Sequence, residues 1–567
     1  MKQSGIGRTC ARTASLSVAL ALGIASGAGS VSAQDASVTG SLPGPLVVLA
    51  DAPGATVNRD IFGQFAEHLG EGIYGSIWVG KDSKIPNVRG IRSDVVGALK
   101  AIKVPVVRWP GGCFADEYHW QNGIGPANKR VTTVNTNWGM TVEPNTFGTD
   151  EFIDFAQQVG AEAYVSVNVG SGTVQEASEW LEYMTAAKPA TFAAKRAANG
   201  HAAPYKIKYL GLGNESWGCG GPFTADEYVT KMKPFAHFVH NQNPAQADPE
   251  IDFPAIIKDL MTGKGMDNLP RNPEGMMRVA VGPNTLDESY TEAVMKAWKS
   301  RMPIYWNIDG LSLHHYTYGG LPMSEPATGF GEKPYFTILK QTLAMDSIIA
   351  AHSAIMDKYD PKKRVGLMID EWGVWLKADA GTKPLYLRQQ NSLRDAIAAS
   401  LNINIFARHA DRVRMTNIAQ MVNVLQSMIL TDKGRMVLTP TYQVYKLYVP
   451  FQDAQVLPVK FEAGTYTMGG VSLPRVDAIA ARGKDGKVWL ALTNLDPNNP
   501  ADITASVAAA STGSAVGQVL TADKMDAINT FDAPNQVTPR PVSAKAQDGK
   551  LVIHLPPHSV TVVSLGS

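Results

Sequence analysis

The sequence predicts an α/β protein in which a closed (β/α)₈ barrel, the TIM barrel, is followed by an additional C-terminal antiparallel β-sandwich. Between residues 61 and 418, eight short apolar runs alternate with longer amphipathic segments, the pattern of βα units around a parallel sheet. From about residue 434 the chain changes to short β-rich runs separated by turn signals, which favours a sandwich. At 567 residues the chain has room for a barrel of about 250 residues or more and a second domain.

Eight apolar runs are predicted as the barrel strands. They are Ile61–Glu67, Pro105–Trp109, Ala163–Asn168, Ile207–Gly213, Met277–Gly282, Gly310–His314, Val365–Asp370 and Val413–Ile418. Predicted helices between them include Ser93–Ile102, Ala177–Ala187, Ala225–His240, Ser289–Trp298, Tyr335–Tyr359 and Arg388–His409. An open doubly wound sheet is the alternative, but Gly211-Leu-Gly213 lacks the further spacing of a dinucleotide fingerprint.

These segments divide the chain into a catalytic barrel over residues 61–430 and a sandwich over residues 431–567. Residues 34–60 are expected to join the sandwich through a strand at Pro45-Leu-Val-Val-Leu49. The stretch Asn241–Arg278 is too long for a usual βα connection. We expect it to be an excursion with its own short helix near Ile256–Met261.

The first 33 residues have the composition of an export signal. Lys2, Arg8 and Arg12 precede a short apolar segment at Leu16–Ile24, and Val31-Ser-Ala33 resembles a cleavage site. The alternative is a membrane anchor, but the apolar segment is shorter than the roughly 20 residues that a span requires. We therefore predict a protein exported to the periplasm or the medium, cleaved near Ala33 and without membrane contact after cleavage.

The charge of the chain gives no indication of a polyanionic partner. The formal net charge is +1 and only 18% of residues are charged. No basic run with interleaved aromatic residues occurs, so the electrostatic footprint of a nucleic-acid-binding protein is missing. We expect no nucleic-acid partner.

Two glutamates at predicted strand ends are the candidate catalytic residues. Glu215 follows the fourth strand and Glu371 follows the seventh, and in a parallel barrel these ends meet at the active-site face. Glycoside hydrolysis needs such a pair, one carboxyl group as the acid and one as nucleophile or stabiliser. An isolated glutamate at a strand end is more often solvated or salt-bridged, but Asn214 and Trp217 beside Glu215, and Trp372 beside Glu371, weaken that interpretation.

Six motifs in register resemble the α-L-arabinofuranosidases of glycoside hydrolase family 51, a family of the retaining clan A. They are Phe62-Gly-Gln-Phe-Ala-Glu-His-Leu-Gly70, Arg108-Trp-Pro-Gly-Gly-Cys-Phe114, Gly213-Asn-Glu-Ser216, Leu313-His-His-Tyr316, Asp370-Glu-Trp372 and Ala419-Gln-Met-Val-Asn423. The resemblance runs from about residue 45 to the C-terminus. It implies a retaining double displacement with Glu215 as acid/base and Glu371 as nucleophile.

The resemblance also implies roles for residues around the pair. Glu67, Arg108, Asn214 and Gln420 would contact the furanose hydroxyls or hold the catalytic carboxylates, and Tyr316 would hydrogen-bond the nucleophile. His314 matches the same His-x-Tyr motif. An alternative for Arg108 is an ion pair with a buried acid such as Glu67, and Tyr316 and Trp217 could be ordinary packing at the rim.

Cys113 stands where many members of the family have an asparagine that contacts the sugar. A thiol is a poorer hydrogen-bond partner than an amide, so that contact is less certain here. Cys219 lies in the loop after Glu215. The two cysteines could form a disulfide or remain packed free thiols.

We predict no catalytic metal and no cofactor. His314 and His315 are adjacent on a strand, so their side chains point to opposite faces and cannot easily share one ion. By the same alternation Asp370, which precedes Glu371, should point away from the pocket and have a structural role.

The function expected from the resemblance is exo-acting release of terminal L-arabinofuranose from arabinan, arabinoxylan and related oligosaccharides. One alternative is an endo-glycanase of the same clan that acts on β-glucan or xylan. Another is a carbohydrate-binding protein that has lost turnover, although a pure binder needs no carboxylate pair. Oligomers are frequent among members of this family, so the resemblance makes a homo-oligomer one candidate state of the chain.

Overall fold

The structure is a computed structural model that describes residues 40–250, 252–262, 269–321, 323–508, 513–548 and 550–566. The predicted export signal over residues 1–33 lies outside the described residues. Among those described, no helix combines the length and the apolar character needed to cross a bilayer.

Eight parallel strands close into a barrel, so the predicted fold class is confirmed. In chain order the strands are Gly63–Phe65, Val106–Trp109, Glu162–Val167, Tyr209–Leu212, Met277–Ala280, Gly310–Thr317, Gly366–Val374 and Val413–Ile418. Each matches one of the eight predicted segments. The barrel closes where Asn417 and Ile418 of the eighth strand pair with Gly63 and Gln64 of the first.

Helices surround the barrel. They are Ser93–Ala101, Thr149–Val159, Val174–Thr185, Thr191–Ala198, Ala225–Phe238, Phe253–Met261, Glu288–Lys299, Glu332–Tyr359, Leu393–Arg408 and Pro440–Leu447. The helix Phe253–Met261 belongs to the predicted excursion. Helix Ala225–Phe238 begins with a capping box, in which Thr224 and Glu227 satisfy each other's backbone N–H groups.

Short elements complete the barrel domain and its connection to the sandwich. Two-stranded sheets pair Asn87–Val88 with Ile91–Arg92, Thr133–Asn135 with Thr141–Glu143, Ile429–Asp432 with Arg435–Leu438, and Thr465–Met468 with Val471–Pro474. Single 3₁₀ turns lie at Arg59–Phe62, Cys113–Asp116, Trp120–Gly123, Ala127–Lys129, Pro244–Gln246, Pro384–Tyr386 and Val449–Phe451.

The interior of the barrel is filled by side chains below the active-site end. The cluster consists of Val106, Tyr164, Tyr209, Val279, Met368 and Met415. At the lower end the hydroxyl of Tyr209 donates to Asp60 at 2.6 Å. The barrel is therefore a packed core with a floor, as expected for this architecture.

The C-terminal region contains two sheets that share one hydrophobic core. In sheet order, one contains Val459–Phe461, Leu46–Val48, Ala501–Val507 and Leu551–Leu555, and the other contains Gln455–Leu457, Val476–Arg482, Val488–Asn494, Ser559–Gly566, Ser514–Leu520 and Arg540–Lys545. All pairings are antiparallel except that of Leu46–Val48 with Ala501–Val507. The exact domain boundary at residues 430 and 431 stays a prediction.

Helix Leu393–Arg408 joins the two domains. Almost all of its residues are buried, because it lies between the barrel and the sandwich. Ser400 lies 3.0 Å from Thr493 between hydroxyl oxygens, and the amide of Asn404 donates to Asp477 at 2.7 Å. The barrel helix and the sandwich thus share buried polar contacts as well as apolar packing.

The sandwich core supplies a stability test with an internal control. Ile553 is 1% exposed and its neighbour Val552 is 43% exposed on the other face of the same strand. We expect Ile553→Ala to lower the free energy of unfolding by about 2–5 kcal/mol, since it removes buried methyl groups and leaves a cavity. Val552→Ala should change it by less than about 1 kcal/mol. Urea denaturation of both variants measures the difference. Equal denaturation midpoints would contradict the placement of Ile553 in the core and Val552 on the solvent side.

Candidate active site

The predicted site residues meet at the C-terminal ends of the barrel strands. Each comes from the end of a strand or the loop after it: Glu67 from the first, Arg108 and Cys113 from the second, Asn214, Glu215 and Trp217 from the fourth, His314 and Tyr316 from the sixth, Glu371 from the seventh and Gln420 from the eighth. The barrel therefore converges these side chains although they are spread over more than 350 residues of sequence.

Arg108 is the central cation of the site and is 1% exposed. One terminal nitrogen donates to Oε1 of Glu371 at 2.8 Å and to the backbone oxygen of Asp370 at 3.1 Å. The other donates to Oδ1 of Asn214 at 2.6 Å. Burial would lower its pKa, but the charges of Asp370 and Glu371 outweigh burial and raise it. Arg108 pairs with these acids, so the alternative pairing with Glu67 is not the one found.

The two candidate catalytic carboxylates lie close together. One carboxylate oxygen of Glu215, one of Glu371 and a ring nitrogen of His314 all lie within 4.8 Å of one another. The hydroxyl of Tyr316 donates to Oε2 of Glu371 at 2.8 Å. Retaining glycosidases hold their carboxyl groups about 5–5.5 Å apart, whereas inverting enzymes need about 6.5–9.5 Å to admit a water. The spacing here fits the retaining arrangement.

His314 connects the carboxylates. Its Nδ1 lies 2.9 Å from Oε1 of Glu215 and 3.5 Å from Oε2 of Glu371, and its Nε2 lies 3.2 Å from Oδ1 of Asp370. Burial lowers the pKa of the imidazole, but these three carboxylates outweigh it and raise the pKa to about 10. The raised pKa favours the imidazolium form of His314, which hydrogen-bonds Glu215 through Nδ1 and forms an ion pair with Asp370 through Nε2.

Glu215 is held in an unusual backbone conformation with φ of +37°. This left-handed conformation costs roughly 1–3 kcal/mol for a residue that is not glycine. Asp116 holds the preceding residue, since its Oδ2 accepts the N–H of Asn214 at 2.9 Å. Burial raises the pKa of Glu215, the His314 hydrogen bond lowers it, and the charge of Glu371 raises it, with a net increase.

Asp370 corrects the simple alternation rule. Ser312 pairs with Met368, but His314 pairs with Glu371, so the seventh strand has one extra residue, a β-bulge. Because of the bulge, Asp370 and Glu371 both face the barrel interior. Asp370 accepts the hydroxyl of Tyr164 at 2.7 Å and ion-pairs with His314. The prediction that it points away was wrong, although these contacts fit a structural role.

Glu67 lies at the side of the site and is almost fully buried. Its oxygens accept hydrogen bonds from the backbone of Phe114 at 3.1 Å, the indole of Trp138 at 2.9 Å and the amide of Gln420 at 3.0 Å. Burial, followed by the charge of Glu371, outweighs these donors and raises its pKa to about 7.

Two glycines after the second strand make room for the carboxylates. A Cβ on Gly111 would lie 2.6 Å from Cγ of Glu67, and a Cβ on Gly112 would lie 2.7 Å from Oε1 of Glu371. Neither glutamate can retreat without losing its hydrogen bonds. The Gly-Gly pair in the second motif is therefore a requirement for close approach.

Cys113 and Cys219 are joined by a disulfide with their Cα atoms 5.4 Å apart. The open choice between a disulfide and free thiols is thus resolved in favour of the disulfide. The bond joins the loops after the second and fourth strands beside Glu215. Trp217 is partly buried and donates its indole N–H to the backbone oxygen of Gly282 at 3.2 Å, so it also braces this loop.

Two residues that contact the site were not predicted from sequence. Trp138 arrives from the hairpin Thr133–Glu143, far along the chain from the glutamate that it contacts, and no local pattern indicates this. Asp116 accepts backbone N–H groups from Val169, Gly170 and Asn214, and burial raises its pKa to about 7. Its only sequence signal is its place three residues after Cys113.

Comparison with known proteins gives a consistent family. The description "Alpha-L-arabinofuranosidase 1 domain" matches residues 98–275, and "Alpha-L-arabinofuranosidase C-terminal domain" matches residues 370–559. A crystal structure of the GH51 arabinofuranosidase from Xanthomonas axonopodis pv. citri has a TM-score of 0.84 and 44% identity, covering 94% of this chain and all of that one. A relative from Bacteroides ovatus, named an intracellular exo-α-L-arabinofuranosidase, is 40% identical over 94% of this chain and 98% of its own length.

The chain belongs to glycoside hydrolase family 51. The resemblance drawn from the six motifs is thereby confirmed. Another family member, the α-L-arabinofuranosidase of Thermotoga maritima in an arabinose complex, has a TM-score of 0.75 and 28% identity, covering 92% of this chain. The catalytic and binding roles of the individual residues stay predictions.

The prediction of an exported protein is corrected by the same comparison. The family 51 relative from Bacteroides ovatus carries the word intracellular in its name, which contradicts the inference of export from residues 1–33. That inference rested on a basic start, a short apolar segment and the cleavage-like Val31-Ser-Ala33. We no longer assign an export signal.

The buried Glu67 predicts a pH dependence of stability. Its pKa is about 7 in the folded chain against an ordinary 4.5, so the folded state binds an extra proton between these values. Stability from this group is therefore greatest below pH 4.5 and falls by about 3 kcal/mol as the pH rises to 7. We expect the unfolding free energy of Glu67→Gln to fall correspondingly less over this range in urea titrations.

A matched control is Glu162→Gln, an exposed glutamate at the opposite end of the barrel. Its pH profile should follow that of the wild type. If the profiles of wild type and Glu67→Gln run parallel between pH 4.5 and 7, Glu67 does not take up a proton on folding.

Proposed function

We propose that this chain is an exo-acting, retaining α-L-arabinofuranosidase in which Glu371 is the nucleophile and Glu215 the acid/base. The observation that carries the proposal is the convergence of two carboxylates in different environments within 4.8 Å. Glu371 is held by a guanidinium and a phenol. Glu215 is partly buried and has a raised pKa. Glu371 is thus fixed in place by two donors, and Glu215, with its raised pKa, is suited to carry a proton.

In the first step Glu371 attacks the anomeric carbon while Glu215 protonates the leaving oxygen. The bonds from Arg108 and Tyr316 fix the direction of the attacking carboxylate, which removes orientational freedom before the reaction. Since His314 already donates to Oε1 of Glu215, Oε2 is the oxygen left to carry the transferred proton.

In the second step a water attacks the glycosyl-enzyme and Glu215 accepts its proton. Once Glu371 is esterified it no longer carries a charge, and one of the causes that raise the pKa of Glu215 is lost. The imidazolium of His314 then favours the carboxylate form of Glu215. The same side chain can therefore act first as acid and then as base.

The remaining polar groups are proposed to bind the furanose. Glu67, Asn214 and Gln420 line the site with hydrogen-bonding atoms, and Trp217 and the disulfide sulfur of Cys113 lie beside them. Substrates would be terminal arabinofuranosyl groups of arabinan, arabinoxylan and their oligosaccharides. The name of the Bacteroides ovatus relative supports exo action. Assembly as a homo-oligomer stays a prediction.

The alternatives fit less well. A carbohydrate-binding protein without turnover would need neither two converging carboxylates nor a buried arginine to hold one of them. An endo-glycanase of the same clan would share the machinery, but the family named by the comparisons is one of arabinofuranosidases.

The assignment of the two glutamates is tested by substitution and azide rescue. We expect Glu371→Ala to lower hydrolysis of an aryl α-L-arabinofuranoside about 10³-fold or more. Added azide should restore turnover and give an arabinosyl azide of inverted configuration. Glu215→Ala should instead give an azide of retained configuration, because Glu371 still forms the covalent intermediate. NMR assignment of the anomeric configuration of each azide product distinguishes the nucleophile from the acid/base.

Glu162→Ala, at the opposite end of the barrel, is the matched control and should keep wild-type activity. An aryl β-D-glucoside should not be cleaved by any of the proteins. Azide products with the two configurations exchanged would reverse the assigned roles.

Product analysis tests exo action. Incubation with linear arabinan or arabinoxylan should release arabinose as the sole early product, because the site accepts one terminal residue. High-performance anion-exchange chromatography of short time points makes this measurement. A ladder of oligosaccharides at early times would instead indicate the endo-glycanase.

A further inference from the structure

Two sulfur atoms lie directly beside the proposed acid/base. Sγ of Cys219 is 3.5 Å from Oε2 of Glu215, the oxygen that His314 leaves unoccupied. One atom each from Cys113, Cys219 and Glu215 lies within 4.8 Å of the other two. In the oxidised chain the sulfurs are bonded to each other and are poor ligands, since metal binding requires thiolates.

We propose that reduction of the Cys113–Cys219 disulfide creates a site for a thiophilic divalent cation, with Zn²⁺ as the representative ion, formed by both thiolates and the carboxylate of Glu215. A dithiol reductant supplies the two electrons: the S–S bond breaks, each sulfur gains a proton, and the reductant becomes a disulfide. Zn²⁺ then displaces the two thiol protons to solvent and takes water in its fourth position.

The donor set and geometry suit this ion. Zn²⁺ prefers tetrahedral coordination by thiolate at about 2.3 Å and carboxylate at about 2.0–2.2 Å. The Cα atoms of the cysteines are 5.4 Å apart, so rotation of the two short side chains can separate the sulfurs around an ion. Three negative ligands also offset the cation charge in a partly buried place. Soft sulfur ligands favour zinc over magnesium or calcium.

The site is reachable from solvent. Cys219 is exposed, and Cys113 and Glu215 are partly exposed. Both the reductant and the ion can therefore enter through the mouth of the pocket, without opening of the barrel.

Occupation of the site would stop the reaction. This consequence rests on the proposed function, because it requires Glu215 to be the acid/base. With its carboxylate on Zn²⁺, Glu215 can neither deliver nor accept a proton. The disulfide thus protects the proposed acid/base from metal capture, and reduction exposes it.

The experiment uses the full chain carrying Cys10→Ser, so that Cys113 and Cys219 are the only cysteines. Oxidised and reduced samples are freed of reductant without air and titrated with ZnCl₂ against a chromogenic chelator. We expect one Zn²⁺ per reduced chain, bound at least 100-fold more tightly than by the oxidised chain. One equivalent should lower aryl arabinofuranoside hydrolysis by the reduced chain at least 10-fold, and EDTA should restore it.

Cys219→Ser in the same background is the matched variant and should bind Zn²⁺ at least 10-fold more weakly under reducing conditions. Alkylation of the folded, reduced wild-type pair gives the same test without a substitution that could affect folding. The proposal would be overturned if the oxidised and reduced chains bound zinc equally tightly. It would also be overturned if neither Cys219→Ser nor alkylation weakened zinc binding by the reduced chain. The zinc titration does not require catalytic turnover. If the chain were inactive on arabinofuranosides, the proposed function would be refuted, and the titration would still decide whether the metal site exists.

Discussion

The site depends on a balance of buried charge around Arg108. Three carboxyl groups, those of Glu215, Asp370 and Glu371, contact two cations, Arg108 and His314. A fourth, the buried Glu67, is close enough for the charge of Glu371 to act on it. If all four were ionised, the cluster would carry two uncompensated negative charges in a poorly solvated place, which is costly. Burial and the charge of Glu371 raise the pKa of Glu67 and of Glu215, and these are the two carboxyl groups that Arg108 does not contact.

This balance supports the proposed roles of the two glutamates independently of any relative. Glu371 accepts hydrogen bonds from Arg108 and Tyr316. Glu215 has one charged donor, His314, and feels the repulsion of Glu371. The two glutamates thus have different neighbours, which supports the proposed division between a nucleophile and an acid.

Much of this was predictable from sequence, because apolar runs identify the strands and parallel strands bring their ends together. All eight barrel strands and the position of both glutamates follow from that argument. The orientation of Asp370 does not, because the bulge in the seventh strand depends on pairing with Ser312 and His314 rather than on any local pattern. Trp138 and the contact of Gln420 with Glu67 depend on long-range closure of the barrel, which a periodicity argument cannot describe.

The sequence argument failed where it relied on composition alone. A basic start and a run of small apolar residues are weak evidence for export, and a family 51 relative named as intracellular contradicts it. The strand predictions were confirmed because alternating apolar and amphipathic runs of this length have to pack as buried parallel strands and helices. The composition of residues 1–33 carries no comparable packing requirement.

A lysine in place of Arg108 could not reproduce the site, because the geometry of the charge matters as much as its sign. The guanidinium reaches acceptors on two different strands, Asn214 after the fourth and Glu371 on the seventh, from two nitrogens of one rigid plane. An ammonium presents its donors from a single atom. Since Asn214 immediately precedes Glu215, the plane of Arg108 links the residue before the proposed acid/base to the carboxylate of the proposed nucleophile. The separation of the proposed catalytic pair, on which a retaining mechanism depends, is therefore fixed in large part by one side chain that need not touch the reacting atoms.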